Sequence, residues 1–197
     1  MSTALLSKSL VTLPEYQLFR GIDDDNQAEN FTLYLNAAVD YIERYCGRSF
    51  ISGSATEVFS GKYYQDAIGV YHNSYQAKHT PFTSAPQLEY RSTNTVWKAV
   101  TTDTDYDSTT GVIYFTNGGV FADGVNNYRV RFNYGYSRTT APSDLKAAQM
   151  MIARSFEMES LHGGVTTTSN PDGSKSYTSN APSKFVLSIL NNYIYEE

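Results

Sequence analysis

The spacing of apolar residues changes abruptly between Tyr128 and Glu157, and that change constrains the fold more than any single residue. In Tyr128-Arg-Val-Arg-Phe-Asn-Tyr134 every second residue is apolar. Tyr128, Val130, Phe132 and Tyr134 therefore share one face of a strand, and Arg129, Arg131 and Asn133 share the other. Gly135-Tyr136 and a short polar linker follow, and Pro142-Ser-Asp-Leu145 then opens a segment with Leu145, Ala148, Ile152 and Phe156 at helical spacing. Ser143 or a near neighbour caps this helix, Asp144 favours its first turn, and Gly163-Gly164 stops it. A half-buried strand feeding directly into an amphipathic helix calls for an α+β fold, with the apolar face of the sheet expected to pack on helices.

A second helix is the clearest element upstream. Phe31, Leu35, Ala38, Ile42 and Tyr45 recur at spacings of four and three, Val39 and Cys46 broaden the stripe, and Gly47 falls where a C-terminal glycine belongs. Before it, Thr12 is placed to cap a short helix with Pro14 and Glu15 in its first turn. Leu18 and Phe19 would give that helix its apolar side, and Gly21 would end it. Asp23-Asp-Asp25 reads as an acidic helix N-terminus, because the spacing lacks the glycine and distal glutamate of an EF-hand loop.

From Phe50 to Tyr136 the pattern is that of strands: Thr56 to Phe59, Tyr63 to His72 with an irregularity at Gly69, Gln87 to Arg91, Val96 to Val100 around Trp97, and Gly111 to Phe115 before the Asn117-Gly-Gly119 turn. Residues 163–181 are rich in Ser, Thr and Gly and read as a flexible tether, too polar to order themselves alone. The tether carries a last helix, in which Phe185, Ile189 and Tyr193 form one row and Val186, Leu190 and Ile194 lie beside it. So short an apolar helix needs something to dock on: the chain's own core or another subunit. The chain thus divides into a main domain over 1–162, a tether over 163–181 and a docking helix over 182–197. Its fold class is α+β: a bundle of about four helices with an inserted antiparallel β part.

Composition narrows the function. The 197 residues include 17 Tyr, and the formal net charge is −5. Tyrosine suits strands and contact surfaces. A net negative chain is a poor gripper of nucleic-acid backbone. Cys46 is the single cysteine, which excludes an intrachain disulfide and favours a reducing compartment. No signal peptide is read at the start, and no apolar run approaches the roughly 20 residues of a membrane span.

Catalytic patterns are missing. His72, His79 and His162 stand in no metal-binding spacing and read as surface residues, and neither a nucleophile elbow nor a phosphate loop occurs. Cys46 reads as a small core residue. Asp103, Asp105 and Asp107 alternate before a turn; a hard cation is one reading, an exposed strand edge kept soluble by charge the better one. The expectation is a non-enzyme without cofactor or metal.

The order of these elements resembles the head–tail connector (adaptor, or head-completion) proteins of tailed bacteriophages. Four blocks carry the likeness: Leu10-Val-Thr-Leu-Pro-Glu15 through Gly21-Ile22; Ala37 through Tyr45-Cys-Gly-Arg-Ser-Phe50; Asp105-Tyr106 through Phe115 with Val130-Arg-Phe-Asn-Tyr-Gly-Tyr136; and Pro142-Ser-Asp-Leu-Lys-Ala-Ala148. Residues 61–86 and the high tyrosine content depart from the family pattern. The resemblance implies a virion neck protein, made in the host cytoplasm, that forms a ring, a dodecamer in the virion, beneath the portal protein. It implies that the ring extends the DNA channel, lets DNA pass without specific binding, and offers a platform for a tail or stopper protein, with no membrane involved. On this reading Phe31, Leu35, Ala38, Ile42, Leu145, Ala148, Ile152 and Phe156 form the ring-building helical core. Phe185, Val186, Ile189, Leu190, Tyr193 and Ile194 would dock on the portal. The competing expectation is a Tyr-rich carbohydrate- or ligand-binding β module.

Overall fold

The computed structural model describes residues 8–22, 25–61, 74–93, 95–101, 103–162, 167–170, 173–176 and 182–194. Four helices, α1 (Leu13–Arg20), α2 (Ala28–Cys46), α3 (Ser143–His162) and α4 (Lys184–Asn191), accompany antiparallel sheets. The chain divides into two compact units: Met1–Gly47 with Ser137–Glu197, and Arg48–Tyr136. The β unit is thus an insertion between α2 and α3.

In the helical unit α2 lies along α3, and α4 packs against both. Phe31, Leu35, Ala38, Ile42, Leu145, Ala148 and Ile152 are at most 1% exposed, and Phe156 is half-buried. Each large apolar side chain so buried contributes about 1.5–3 kcal/mol. α1 starts with a complete capping box: the Glu15 backbone N–H donates to Thr12 Oγ1, and the Thr12 backbone N–H donates to Glu15 Oε2. Gly21 ends it at φ 63°. Its buried side is not Leu18 and Phe19, which are 83% and 44% exposed, but Tyr16 and Gln17. Tyr16 decides this orientation. Its ring meets Phe31 edge-on at 5.5 Å and its hydroxyl donates to Glu157 at 3.1 Å, so the opposite side of the helix faces solvent.

Among the described residues the β unit has seven strands: β1 (Gly53–Phe59), β2 (Ser74–Gln76), β3 (Gln87–Arg91), β4 (Trp97–Ala99), β5 (Thr104–Asp107), β6 (Val112–Phe115) and β7 (Tyr128–Tyr134). They form a four-stranded sheet in the order β1-β7-β3-β4 and a three-stranded sheet in the order β2-β6-β5. β7 is central, with Phe132 opposite Ala55 and Val130 opposite Leu88. Its apolar face packs on the second sheet: Leu88, Tyr128, Val130 and Phe132 share one core with Ile113 of β6 and with Ala77, Phe82 and Phe121. The expectation that helices would cover this face is corrected. The Asp-rich stretch before Gly111 is itself a strand, β5, and it completes a sheet able to cover β7. Glu57 of β1 joins the layers by accepting from the Tyr75 hydroxyl of β2 at 2.6 Å. Gly135, at φ 87°, lies where a Cβ would come within 2.5 Å of the Ile51 carbonyl oxygen, so the backbone approach that follows β7 requires glycine there.

A hairpin of β8 (Thr167–Asn170) and β9 (Gly173–Ser176) occupies part of the segment read as a tether. A β-branched Thr run followed by Asn-Pro-Asp-Gly favours a hairpin locally, despite its polarity. The strand expected over Tyr63 to His72, the stop at Gly163-Gly164, and Asp23 and Asp24 lie outside the described residues.

Candidate functional site

Candidate chemistry is quickly exhausted. Among the described residues, no group of three or more His, Cys, Asp or Glu side chains could hold a metal ion, and no helix is long and apolar enough to cross a membrane. Asp105 and Asp107 lie on β5, an edge strand, and their carboxylates are engaged locally. Asp105 accepts from its neighbour's N–H and from the Tyr114 hydroxyl, Asp107 from the Thr109 N–H at 2.8 Å, and Asp103 from Asn117 Nδ2 at 2.9 Å. Hydrogen bonds from the Thr109 and Thr110 backbone hold the Asp107 carboxyl below its ordinary range. His79 is half-buried and stacks on Tyr134 at 4.6 Å, where the sequence reading placed it at the surface. His72 and the His162 side chain lie outside the described residues. Cys46 is buried, its thiol directed at the Leu190 carbonyl.

Two polar clusters escaped the sequence reading, and both serve the packing of α3. Gln149 is fully buried: its Oε1 accepts from Leu10 N–H, and its Nε2 donates to Ser9 Oγ and to the Leu35 carbonyl. One amide thereby ties the segment before α1, α2 and α3 together with every strong donor and acceptor matched. Glu157, 4% exposed, receives the Tyr16 hydroxyl and pairs with Arg20 of α1 and Arg154 of its own helix. Burial pushes the Tyr16 phenol up to about 12, against the opposing pull of Arg20 and Arg154. A folded-state value above the unfolded one, near 10, means that folding gains from this group below pH 10 and loses that gain as pH climbs towards 12. Stability measured by urea midpoint should fall in that window more steeply in the wild type than in Tyr16→Phe. Identical slopes would show the phenol to be uncoupled from folding.

The expected docking row of α4 splits in two. Val186 and Leu190 are 2% and 0% exposed and belong to the helical core, and Tyr45 and Tyr193 fix the helix further through Asn191 Oδ1 and Asp144 Oδ1. Phe185 and Ile194 are 59% and 41% exposed, while Ile189 and Tyr193 are half-buried. Exposed apolar side chains are common on the rest of the helical unit as well: Leu18, Leu33 and Leu161 are each more than 60% exposed. Among the described residues, the exposed tyrosines of the three-stranded sheet form no single platform of the kind a glycan stacks on. Tyr114 stands opposite Asp105, whereas Tyr106 stands opposite Ile113 and so on the other face of the same hairpin.

The outer face of the four-stranded sheet carries a connected charged cluster. Glu89 of β3 sits directly opposite Arg129 of β7, accepts from its Nε at 2.5 Å, and accepts from Arg131 at 3.0 Å. The hydrogen bond from Arg129 is the main reason its carboxyl lies below the ordinary range. Arg129 also covers the Trp97 ring at 4.6 Å, and Arg91 covers it at 4.9 Å. Beside Arg131 a shallow polar groove of about 360 Å³ runs between Ser54, Thr56, Ser84, Gln87 and Asn133. Nothing here activates a nucleophile or polarises a substrate; the arrangement holds charged planes at a surface.

No curated protein sequence matches the chain significantly. Among solved structures it is similar to a chain in the neck of an empty gene transfer agent (GTA) particle computed with C6 symmetry, at 13% identity and a TM-score of 0.64, covering 100% of this chain and 94% of that one. It is also similar to a chain of the virion of a native GTA particle (14% identity, TM-score 0.60, 100% and 94% covered). A third is in the neck of a native GTA particle computed with C12 symmetry (14% identity, TM-score 0.59, 100% and 93% covered). At such identities the likeness is one of fold. The family model described as "Head completion protein" matches residues 9–194, which is nearly the whole chain. The chain belongs to the head completion protein family.

Proposed function

We propose that this chain is a structural, non-enzymatic connector of the virion neck, assembling as a ring beneath a portal protein and extending the channel through which DNA passes. The ring offers its far side to a tail or stopper protein, and the chain is made in the host cytoplasm before joining the particle. The observation that carries this reading is the head completion family match over residues 9–194. The neck chains of similar fold, from particles computed with C6 and C12 symmetry, support it. The net charge of −5 suits a channel wall that must not hold DNA. The test is electron microscopy of the full chain mixed with its portal. A ring of density on the portal is expected, and a portal left bare at saturating concentration rejects the reading.

The portal-facing part is then Phe185 on α4 and Ile194 just past its end. Deleting residues 183–197 would strip Val186 and Leu190 from the helical core, so truncation confounds docking with folding. Phe185→Ser with Ile194→Ser removes only exposed apolar surface. This double variant should melt within a few degrees of the wild type yet bind the portal at least about tenfold more weakly, since a few apolar anchors dominate such contacts. Unchanged affinity would remove α4 from the portal interface.

A further inference from the structure

The two outer faces of the β unit carry opposite charge. The inner faces of the sheets share one core, so the outer faces point away from each other. On the four-stranded sheet Arg91, Arg129 and Arg131 surround the single carboxylate of Glu89, which leaves that face cationic. These guanidiniums are already ordered, by Glu89 and by the Trp97 ring between two of them, so little side-chain entropy remains to be lost on contact. On the three-stranded sheet Asp105 and Asp107 share the outward face with Val112 and Tyr114, and Ser74 and Gln76 of β2 lie in register with these two. No Lys or Arg of these three strands offsets the carboxylates.

We propose that neighbouring copies of this chain join through these faces, the arginine face of one β unit against the aspartate face of the next. The proposal rests on the ring reading and names the contact that builds the ring. The faces are complementary to each other and not to themselves. A two-fold dimer would set like charges together, whereas a head-to-tail contact pairs them and, if the rotation closes, generates a ring. Both faces also present an aromatic beside the charges, Trp97 on one and Tyr114, 36% exposed, on the other, which is the composition of an interface centre.

Sedimentation velocity of the full chain tests this. Wild-type self-association should weaken about tenfold or more between about 20 mM and 500 mM salt. Arg131→Glu leaves Glu89 its Arg129 partner, and Asp105→Arg alters an exposed strand edge, so both variants should keep the wild-type circular dichroism spectrum. Each alone should associate about tenfold more weakly than wild type, and an equimolar mixture should recover association. Alternating copies then meet either through two wild-type faces or through the glutamate introduced at position 131 of one copy against the arginine introduced at position 105 of the next. A wild type that stays monomeric at about 1 mM, salt-independent association, single variants that associate normally, or a mixture that does not recover each overturns the proposal. Rings of both single variants on the portal would leave the connector reading intact while rejecting this contact. A portal that binds no wild-type chain would instead reject the connector reading.

Discussion

Leu35→Asp should leave the helical unit without a stable fold. Leu35 is fully buried in the middle of α2, and its own carbonyl is already taken by Gln149 from α3. Truncating such a leucine to alanine costs about 2–5 kcal/mol through lost transfer energy and the cavity left behind. A carboxylate at the same place adds a desolvation penalty of several kcal/mol and finds no cation nearby on the stripe of Phe31, Ala38 and Ile42. The total is comparable with the whole stability of a domain, about 5–15 kcal/mol. Far-UV circular dichroism should show lost helix in buffer, and Ile42→Asp should behave alike. A cooperative melt within a few degrees of wild type would mean that this face is not the core.

That prediction depends on a pattern visible in the sequence, and the same patterns explain which parts of the fold were legible. The stripe from Phe31 to Cys46 repeats at helical spacing and ends at Gly47, found at φ 71°, so the length and buried side of α2 follow from spacing, except that Tyr45, read as part of the stripe, is 36% exposed. The alternation from Tyr128 to Tyr134 likewise identified β7 and its inward face. The partner of that face was not legible: the Asp103 to Asp107 stretch reads as a charged strand edge, but Thr-Asp-Tyr-Asp has no apolar alternation to say which face it covers. Its strand state is set by hairpin pairing with the neighbouring Val112 to Phe115, which overrides the weak strand preference of an Asp-rich segment. Leu18 and Phe19 misled for a related reason. Their side chains are apolar, but Tyr16 alone combines a ring for Phe31 with a hydroxyl for Glu157. Gln149 and Glu157 were invisible because polar residues interrupting an apolar stripe look like its solvated margin until their partners are located. The four family blocks placed the elements in order, but they assigned no contact to any of these side chains.

Glu157→Leu, although it adds no charge, should cost about 3–5 kcal/mol. The side chains of Glu157 and Arg20 are only 5% and 9% exposed, so removing the carboxylate strands a buried guanidinium and deprives the Tyr16 hydroxyl of its acceptor. Arg154, more than a third exposed, can turn to water and softens the loss only slightly. Glu157→Gln keeps an acceptor for Tyr16 but not the charge, and should fall between wild type and Glu157→Leu. The informative variant is the double one, Arg20→Met with Glu157→Leu. If the cost of the single change is chiefly the unpaired guanidinium, removing both charges should restore a large share of the stability, and the double-mutant cycle should return a coupling of about 2 kcal/mol or more. Urea denaturation of the four proteins supplies the cycle. Additive losses would show that the pair does not act as a unit, leaving α1 held by the Tyr16 and Phe31 rings against α2 and by the Glu15–Lys146 pair to α3.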